Sequence, residues 1–184
     1  MVSQIHKKKR PTKTETKETK KIDTSSQKVL VAYFSATGTT KKAAEELADV
    51  TDATLYEIKP EKPYTDEDLN YNKSNTRTTK EQNTSSARVA IASEKLDLSS
   101  YTTIYLGFPI WWGEEPRIMD TFVELYNFEN KTIIPFCTSS SSGIGHSGDN
   151  LEKLAKKGNW LQGRRLRSNV SKSTLETWVD SLHA

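Results

Sequence analysis

Residues 28–35 read KVLVAYFS, and this run limits the fold more than any other stretch of the chain. It is short and almost continuously apolar, as a strand covered on both faces requires. Such a strand needs helices above and below its sheet, and the pattern that follows supplies them. TTKKAAEELADV places Ala43, Ala44, Leu47, Ala48 and Val50 at roughly helical spacing. ATLYEIK, TTIYLGFPI and KTIIPFCTS read as the second, third and fourth strands. RIMDTFVELYNF, between the third and fourth strands, reads as a helix. DNLEKLAKKG reads as another, with a capping-box pattern of Asp149 and Glu152 at its start and Gly158 at its end. A short fifth strand is expected within WLQGRRLRSN. SKSTLETWVDSL closes the chain as an amphipathic helix with Leu175, Trp178, Val179 and Leu182 on one face.

Strands alternating with helices imply an α/β fold with a parallel sheet and right-handed crossovers. Five strands make a doubly wound three-layer sandwich, and such folds bind ligands at the carboxyl ends of their strands. The alternation breaks once, over residues 59–100, where a long segment of this kind reads as a functional loop. A helix over SSARVAIASEKL fits within it. So does a surface excursion with its own short helix.

The charge is uneven. The chain is 184 residues with a net charge of +3, but residues 1–27 hold eight Lys/Arg and three Asp/Glu. The remainder, 28–184, is therefore slightly acidic. The first 27 residues read as a disordered basic tail, with too little apolar surface to offset the entropy of ordering. Residues 28–184 read as one domain. These numbers do not describe a nucleic-acid binder. No apolar stretch approaches the ~18 residues of a transmembrane segment. Cys137 is the single cysteine, which excludes an internal disulfide and fits a reducing compartment, with cytoplasmic residence as the default.

Three strand ends carry candidate chemistry. After the first strand, SATGTTKK offers hydroxyls, a glycine and a helix N-terminus, the requirements of a terminal phosphate held by neutral donors. It has neither the Walker spacing nor a Gly-x-Gly-x-x-Gly fingerprint. After the third strand, GFPIWWGEEP places two tryptophans before a glycine. Adjacent side chains in extended backbone point opposite ways, so one indole is expected in the core and one at the site. Glu114, Glu115 and Pro116 look like the first turn of a helix. After the fourth strand, CTSSSSGIGHS offers backbone hydrogen bonds to the edge of a planar heterocycle. Cys137 reads as a packing residue. His146 lacks an evident carboxylate to orient it as a base, and no Gly-x-Ser-x-Gly elbow supports a hydrolase.

Taken together, these loops resemble those of flavodoxins. SATGTT is similar to the Ser/Thr-x-Thr-Gly-x-Thr phosphate signature. PIWWGEEPRIMDTF and PFCTSSSSGIGHS resemble the two flavin-ring loops of a bacterial flavodoxin subfamily, and KPYTDEDLNYN resembles its segment after the second strand. The resemblance covers residues 28–184. It implies a flavodoxin-like five-stranded parallel sheet in order 2-1-3-4-5 and non-covalent flavin mononucleotide (FMN). It assigns the phosphate to Ser35, Thr37, Gly38, Thr39 and Thr40. It places the ring between Pro109, Ile110, Trp111, Trp112 and Gly113 on one side and Thr138, Ser139, Ser140 and Gly143 on the other. Trp112 becomes the stacking residue, and the Gly113 carbonyl the acceptor for the N5–H of reduced flavin. Glu114 and Glu115 would disfavour negative charge on the reduced ring.

The implied function is a low-potential electron carrier between redox partner proteins. An NAD(P)H- or quinone-dependent flavin oxidoreductase is the alternative. There, Tyr64, Tyr71, Arg77 and Glu81 would shape a pocket for a nicotinamide or other small-molecule substrate. A non-redox flavin-binding module is a third reading. The weak charge of the body, and the basic cluster of Arg164, Arg165 and Arg167, depart from the strongly acidic carriers of that family.

Overall fold

The computed structural model describes residues 28–182, so the basic tail expected over 1–27 lies outside the described residues. The elements run β1 (Lys28–Tyr33), α1 (Thr39–Thr51), β2 (Thr54–Glu57), α2 (Arg77–Gln82), β3 (Tyr101–Pro109), α3 (Arg117–Leu125), β4 (Thr132–Thr138), α4 (Ser147–Ala155), β5 (Asn159–Trp160), β6 (Arg164–Leu166) and α5 (Lys172–Ser181). The sheet is parallel throughout, in order β2-β1-β3-β4-β5, with β6 also pairing β4. This is the flavodoxin-like architecture.

Both faces of the sheet are buried, which explains the unbroken apolar runs. On one face Leu30, Ala32 and Phe34 join Ile104, Leu106, Phe108, Ile133 and Cys137 beneath α3 and α4. On the other, Val31, Tyr33, Tyr105, Ile134 and Phe136 pack under α1 and α5 through Ala43, Ala44, Leu47, Leu175 and Trp178. The chain reverses direction across the sheet between β1 and β3, so their carboxyl ends open a crevice.

Three expectations need correction. The fifth strand is split into β5 and β6. Ile133 accepts from Leu161 N–H, so its backbone polar groups face the edge strand. Pro135, two residues on, faces the same way and has no N–H to donate. The ladder therefore breaks there and resumes at Phe136 with Arg164. SSARVAIASEKL is not a helix either. Val89 is buried and Ile91 half-buried, while Ala90 and Ala92 are exposed. That period of two suits an extended strip, and Glu61 N–H to the Ala90 carbonyl and Ala92 N–H to the Lys59 carbonyl fix it, at 2.8 Å each. The helix within this excursion is α2. Finally, α4 begins at Ser147, two residues before the expected cap, and ends on Lys156 in a left-handed conformation.

Gly107 carries a packing constraint. A Cβ there would lie 2.2 Å from Cζ of the fully buried Phe136 ring. Gly107→Ala is expected to cost about 3 kcal/mol through overpacking, and adding Phe136→Leu should recover part of it. Urea unfolding of both variants checks this; an unchanged midpoint for Gly107→Ala contradicts it.

Candidate functional site

The first loop is built to leave donors free. Ser35 Oγ accepts the Gly38 N–H at 3.1 Å, and Gly38 takes a φ of +86° that a side chain would resist. The first bond of the α1 ladder is from Lys42 N–H to the Gly38 carbonyl, at 3.1 Å. The amides of Thr39, Thr40 and Lys41 precede it, Gly38 supplies no side-chain cap, and the first turn of α1 holds no acid. The Thr37 and Thr39 hydroxyls lie 3.3 Å apart at the surface. This donor set, with no carboxylate to repel an anion, fits a phosphate monoester.

The second loop is a two-residue hairpin. Trp111 and Glu114 exchange both backbone hydrogen bonds, at 2.9 and 3.1 Å. The turn residues Trp112 and Gly113 have φ of +49° and +83°, the signs of a type I′ turn. Glu114 and Glu115 are therefore not in a helical turn: Pro116 caps α3, which begins at Arg117. Trp111 is 3% exposed and meets Phe34 and Tyr64 edge-on at 5.4 and 5.1 Å. Trp112 is 40% exposed, its ring 4.6 Å from that of Tyr71. One indole is thus in the core and the other at the crevice. The Gly113 carbonyl oxygen lies toward Gly145, 3.6 Å from where a Cβ there would sit.

A buried polar network holds this hairpin from behind. Gln82 Nε2 donates to the carbonyls of Trp111 and Glu115, both at 3.1 Å. Arg117 donates to the Gln82 carbonyl at 3.0 Å and to Glu114 Oε2 at 2.8 Å. It also lies 3.4 Å from Asp120 and 3.9 Å from Glu115. Two buried carboxyls thus share one buried guanidinium. Burial, then the charge of Glu115, pushes Asp120 up to about 7, against the opposing pull of Arg117 and Arg88. Burial raises Glu115 as well.

The third loop ties the others together. Thr138 is buried; its hydroxyl pairs with that of Thr40 at 2.8 Å, and its carbonyl accepts Ile110 N–H at 3.0 Å. The three loops enclose a cavity of about 560 Å³, within the usual range of small-molecule sites. Of the expected residues, Thr37, Thr39, Pro109, Ile110, Trp111, Trp112, Gly113, Thr138, Ser139 and Ser140 line it. Ser35, Gly38, Thr40 and Gly143 do not. The first three shape or brace the first loop from behind. Leu69, Tyr71 and Ser142 complete the wall. Leu69 is brought there by the excursion and had no local sequence signal.

The remaining candidates stand outside the chemistry. Cys137 is fully buried and its thiol is pushed up to about 12, so it packs and does not react. His146 precedes α4, is almost fully exposed, and lines a different hollow. Arg77 is spent internally. It pairs with Glu81 at 2.7 Å, donates to the Lys62 carbonyl at 2.7 Å, and lies 4.0 Å over the Tyr64 ring. Tyr64 donates in turn to Glu81 at 2.6 Å. Among the described residues, no group of three or more His, Cys, Asp or Glu could hold a metal ion. Nor is any helix long and apolar enough to cross a membrane.

A family model described as Flavodoxin matches residues 28–182. A protein of Bacteroides eggerthii DSM 20697, provisionally described as a flavoprotein, is 41% identical with a TM-score of 0.80; the match covers 85% of this chain and 98% of that one. A similarly described protein of Bacteroides uniformis ATCC 8492 is 45% identical with a TM-score of 0.79, over 83% and 97%. A flavoprotein of Lactobacillus acidophilus NCFM, solved in complex with FMN, shares the fold at 23% identity and a TM-score of 0.60, over 83% and 99%. No curated protein sequence matches the chain.

The buried network makes stability depend on pH. An unfolded aspartate titrates near 3.9, whereas folded Asp120 titrates at about 7. Between these values the folded state holds a proton that the unfolded state has released, so stability falls as pH rises and levels off above 7. Asp120→Asn removes this dependence. The variant should gain on the parent protein by up to about 1.4 kcal/mol per pH unit between pH 5 and 7. Urea unfolding at several pH values reads the difference, and parallel curves would refute it.

Proposed function

The chain belongs to the flavodoxin family, and from that premise we propose that its cavity binds FMN and that the protein carries electrons one at a time between redox proteins. The observation that carries this reading is the convergence of three loops on one cavity. Neutral phosphate donors stand at Thr37 and Thr39, and the exposed indole of Trp112 stands at the ring loop. The Lactobacillus neighbour binds FMN within the same fold, which supports the choice of flavin.

FMN supplies the capacity to accept and release single electrons; the protein binds it, orients it and sets its surroundings. In this reading Thr37, Thr39 and the first amides of α1 hold the phosphate. Ser35, Gly38 and Thr40 keep that loop in shape. Trp112 stacks on the ring, as the Pro-Ile-Trp-Trp-Gly loop of the proposed subfamily would have it. Thr138, Ser139 and Ser140 border the opposite edge, while Gly143 stands outside the cavity lining. The Gly113 peptide has to turn from its position near Gly145 to meet a ring N–H.

A carrier is favoured over an NAD(P)H or quinone oxidoreductase by two features of the excursion. Arg77, the cation expected to help shape a substrate pocket there, is consumed by Glu81, the Lys62 carbonyl and Tyr64. Tyr71 and Trp112 stand together at the cavity, where a nicotinamide would have to stack. The proposed partners are redox proteins, and the proposed setting is the cytoplasm, in keeping with a single buried thiol.

Two measurements test the proposal. Protein loaded with FMN under anaerobic conditions should keep its visible spectrum when NADH or NADPH is added, and lose it when a photoreductant is supplied. Prompt bleaching by nicotinamide would replace the carrier with a reductase. Trp112→Ala should weaken FMN binding by about 2 kcal/mol, roughly thirtyfold, from lost stacking, with the unfolding midpoint little changed. Equal affinity, read by flavin fluorescence quenching, would remove Trp112 from the ring site.

A further inference from the structure

The basic cluster near the C-terminus is not one surface. Arg164 lies against Trp178, 5.9 Å from guanidinium carbon to ring centroid. Arg165, half-buried on β6, turns toward the third loop. Its Nε and Nη2 donate to the Ser139 carbonyl at 3.3 and 3.1 Å. Nη2 also donates to the Ser140 carbonyl at 2.7 Å, and Nη1 to the Ser141 carbonyl at 3.4 Å. The next carbonyl, Ser142, accepts from the Ser139 hydroxyl. The preceding one, Thr138, accepts from Ile110 N–H. Every carbonyl from residue 138 to 142 is therefore engaged by the protein. The N–H groups of the loop proper show the reverse pattern: among the described residues, none from 140 to 143 donates to a backbone acceptor, while the Ser139 N–H is taken by the β6 ladder. Ser139, Ser140 and Ser142 line the cavity.

We propose that Arg165 is a positioning residue that draws the loop carbonyls onto itself and turns residues 140–143 into a donor-only edge, which selects a bound ring by its acceptor side. The inference rests on the FMN reading above. The pyrimidine half of the flavin ring presents two carbonyl oxygens and the lone pairs of N1 and N5, with one donor, N3–H, between the carbonyls, whereas the benzenoid half presents only C–H and methyl groups. A donor-only edge suits the N1 and C2-carbonyl side of the first half, with N3–H left to an acceptor outside this edge, and gives the second half nothing. Unclaimed carbonyls in this loop would face the ring's oxygens as like dipoles. Arginine suits the task because its planar fork reaches three carbonyls at once, where a lysine ammonium would hold one or two. The guanidinium also sets a positive charge behind the edge, on the side where the ring oxygens carry partial negative charge.

The test compares the full chain with Arg165→Gln and Arg165→Lys, using FMN labelled with 13C at C2. Arg165→Gln should weaken FMN binding about tenfold and move the C2 signal upfield, as a carbonyl does on losing a hydrogen bond. Arg165→Lys should restore part of both. In the parent protein, backbone amides of residues 140–143 should slow their hydrogen exchange when FMN is added. Protection of these amides supports the inference even if Arg165→Gln does not fold, and its absence overturns it. Unchanged affinity and C2 shift in Arg165→Gln overturn the inference alone. Weaker binding with an unchanged C2 shift reduces Arg165 to a structural role and overturns it too. FMN that fails to bind the parent protein overturns the FMN reading, and this inference with it.

Discussion

Thr138 is the knot on which the candidate site depends. It is the last residue of β4, and the ladder holds it against Pro109 on one side and Leu166 on the other. Its hydroxyl pairs with Thr40 at the start of α1, and its carbonyl receives the Ile110 N–H at the root of the tryptophan hairpin. One buried residue thus joins all three loops. Loops at the ends of parallel strands are normally free to drift apart, because nothing in the ladder reaches beyond the last pair. Here a hydroxyl pair and a backbone bond, both shielded from water, keep them in register. The cavity is the space left between loops whose relative positions are set in this way.

The two-sided sheet makes such precision possible and limits what the chain can place there. Strands buried on both faces leave few polar groups inside, so the polar chemistry collects at their carboxyl ends. The tryptophan hairpin is where the fold accepts unfavourable local terms. Trp112 holds a φ of +49°, a region costly for a bulky residue. Behind it lie unpartnered buried atoms, including Gln82 Oε1, Arg117 Nε and Asp120 Oδ1. A sequence selected for stability alone would have an Asn-Gly turn and an apolar backing. What the observed residues achieve instead is an indole held out at the cavity on a turn whose position is fixed from both sides.

Much of this was legible in the residues. KVLVAYFS and TTIYLGFPI declared two-sided strands, and the hydroxyl loop, the paired tryptophans and the serine-rich loop marked the three strand ends. The strand order came from the flavodoxin resemblance, and the sheet has that order. The split edge strand and the extended strip share a cause: features set by contacts distant in sequence. Pro135 splits the edge strand only because its missing N–H faces that edge. The strip around Val89 and Ile91 is extended because it pairs with residues 59–61, some thirty positions earlier. The role of Arg165 was hidden for the same reason. As part of a basic cluster it looked like surface charge, and its carbonyl partners lie 24 to 26 residues away. The pairing of Arg77 with Tyr64 and Glu81 was hidden likewise, because it requires the excursion to fold on itself.

The central claim is that one site, made by three strand-end loops, recognises a phosphate and a flat ring together. Calorimetric titration of the flavin-free protein with FMN, and separately with riboflavin, addresses it most directly. The account predicts tight one-to-one binding of FMN and much weaker binding of riboflavin, because the donors at Thr37, Thr39 and the start of α1 would then have no anion to hold. Equal affinities would remove the phosphate from the first loop, and the absence of binding by either would contradict the account as a whole.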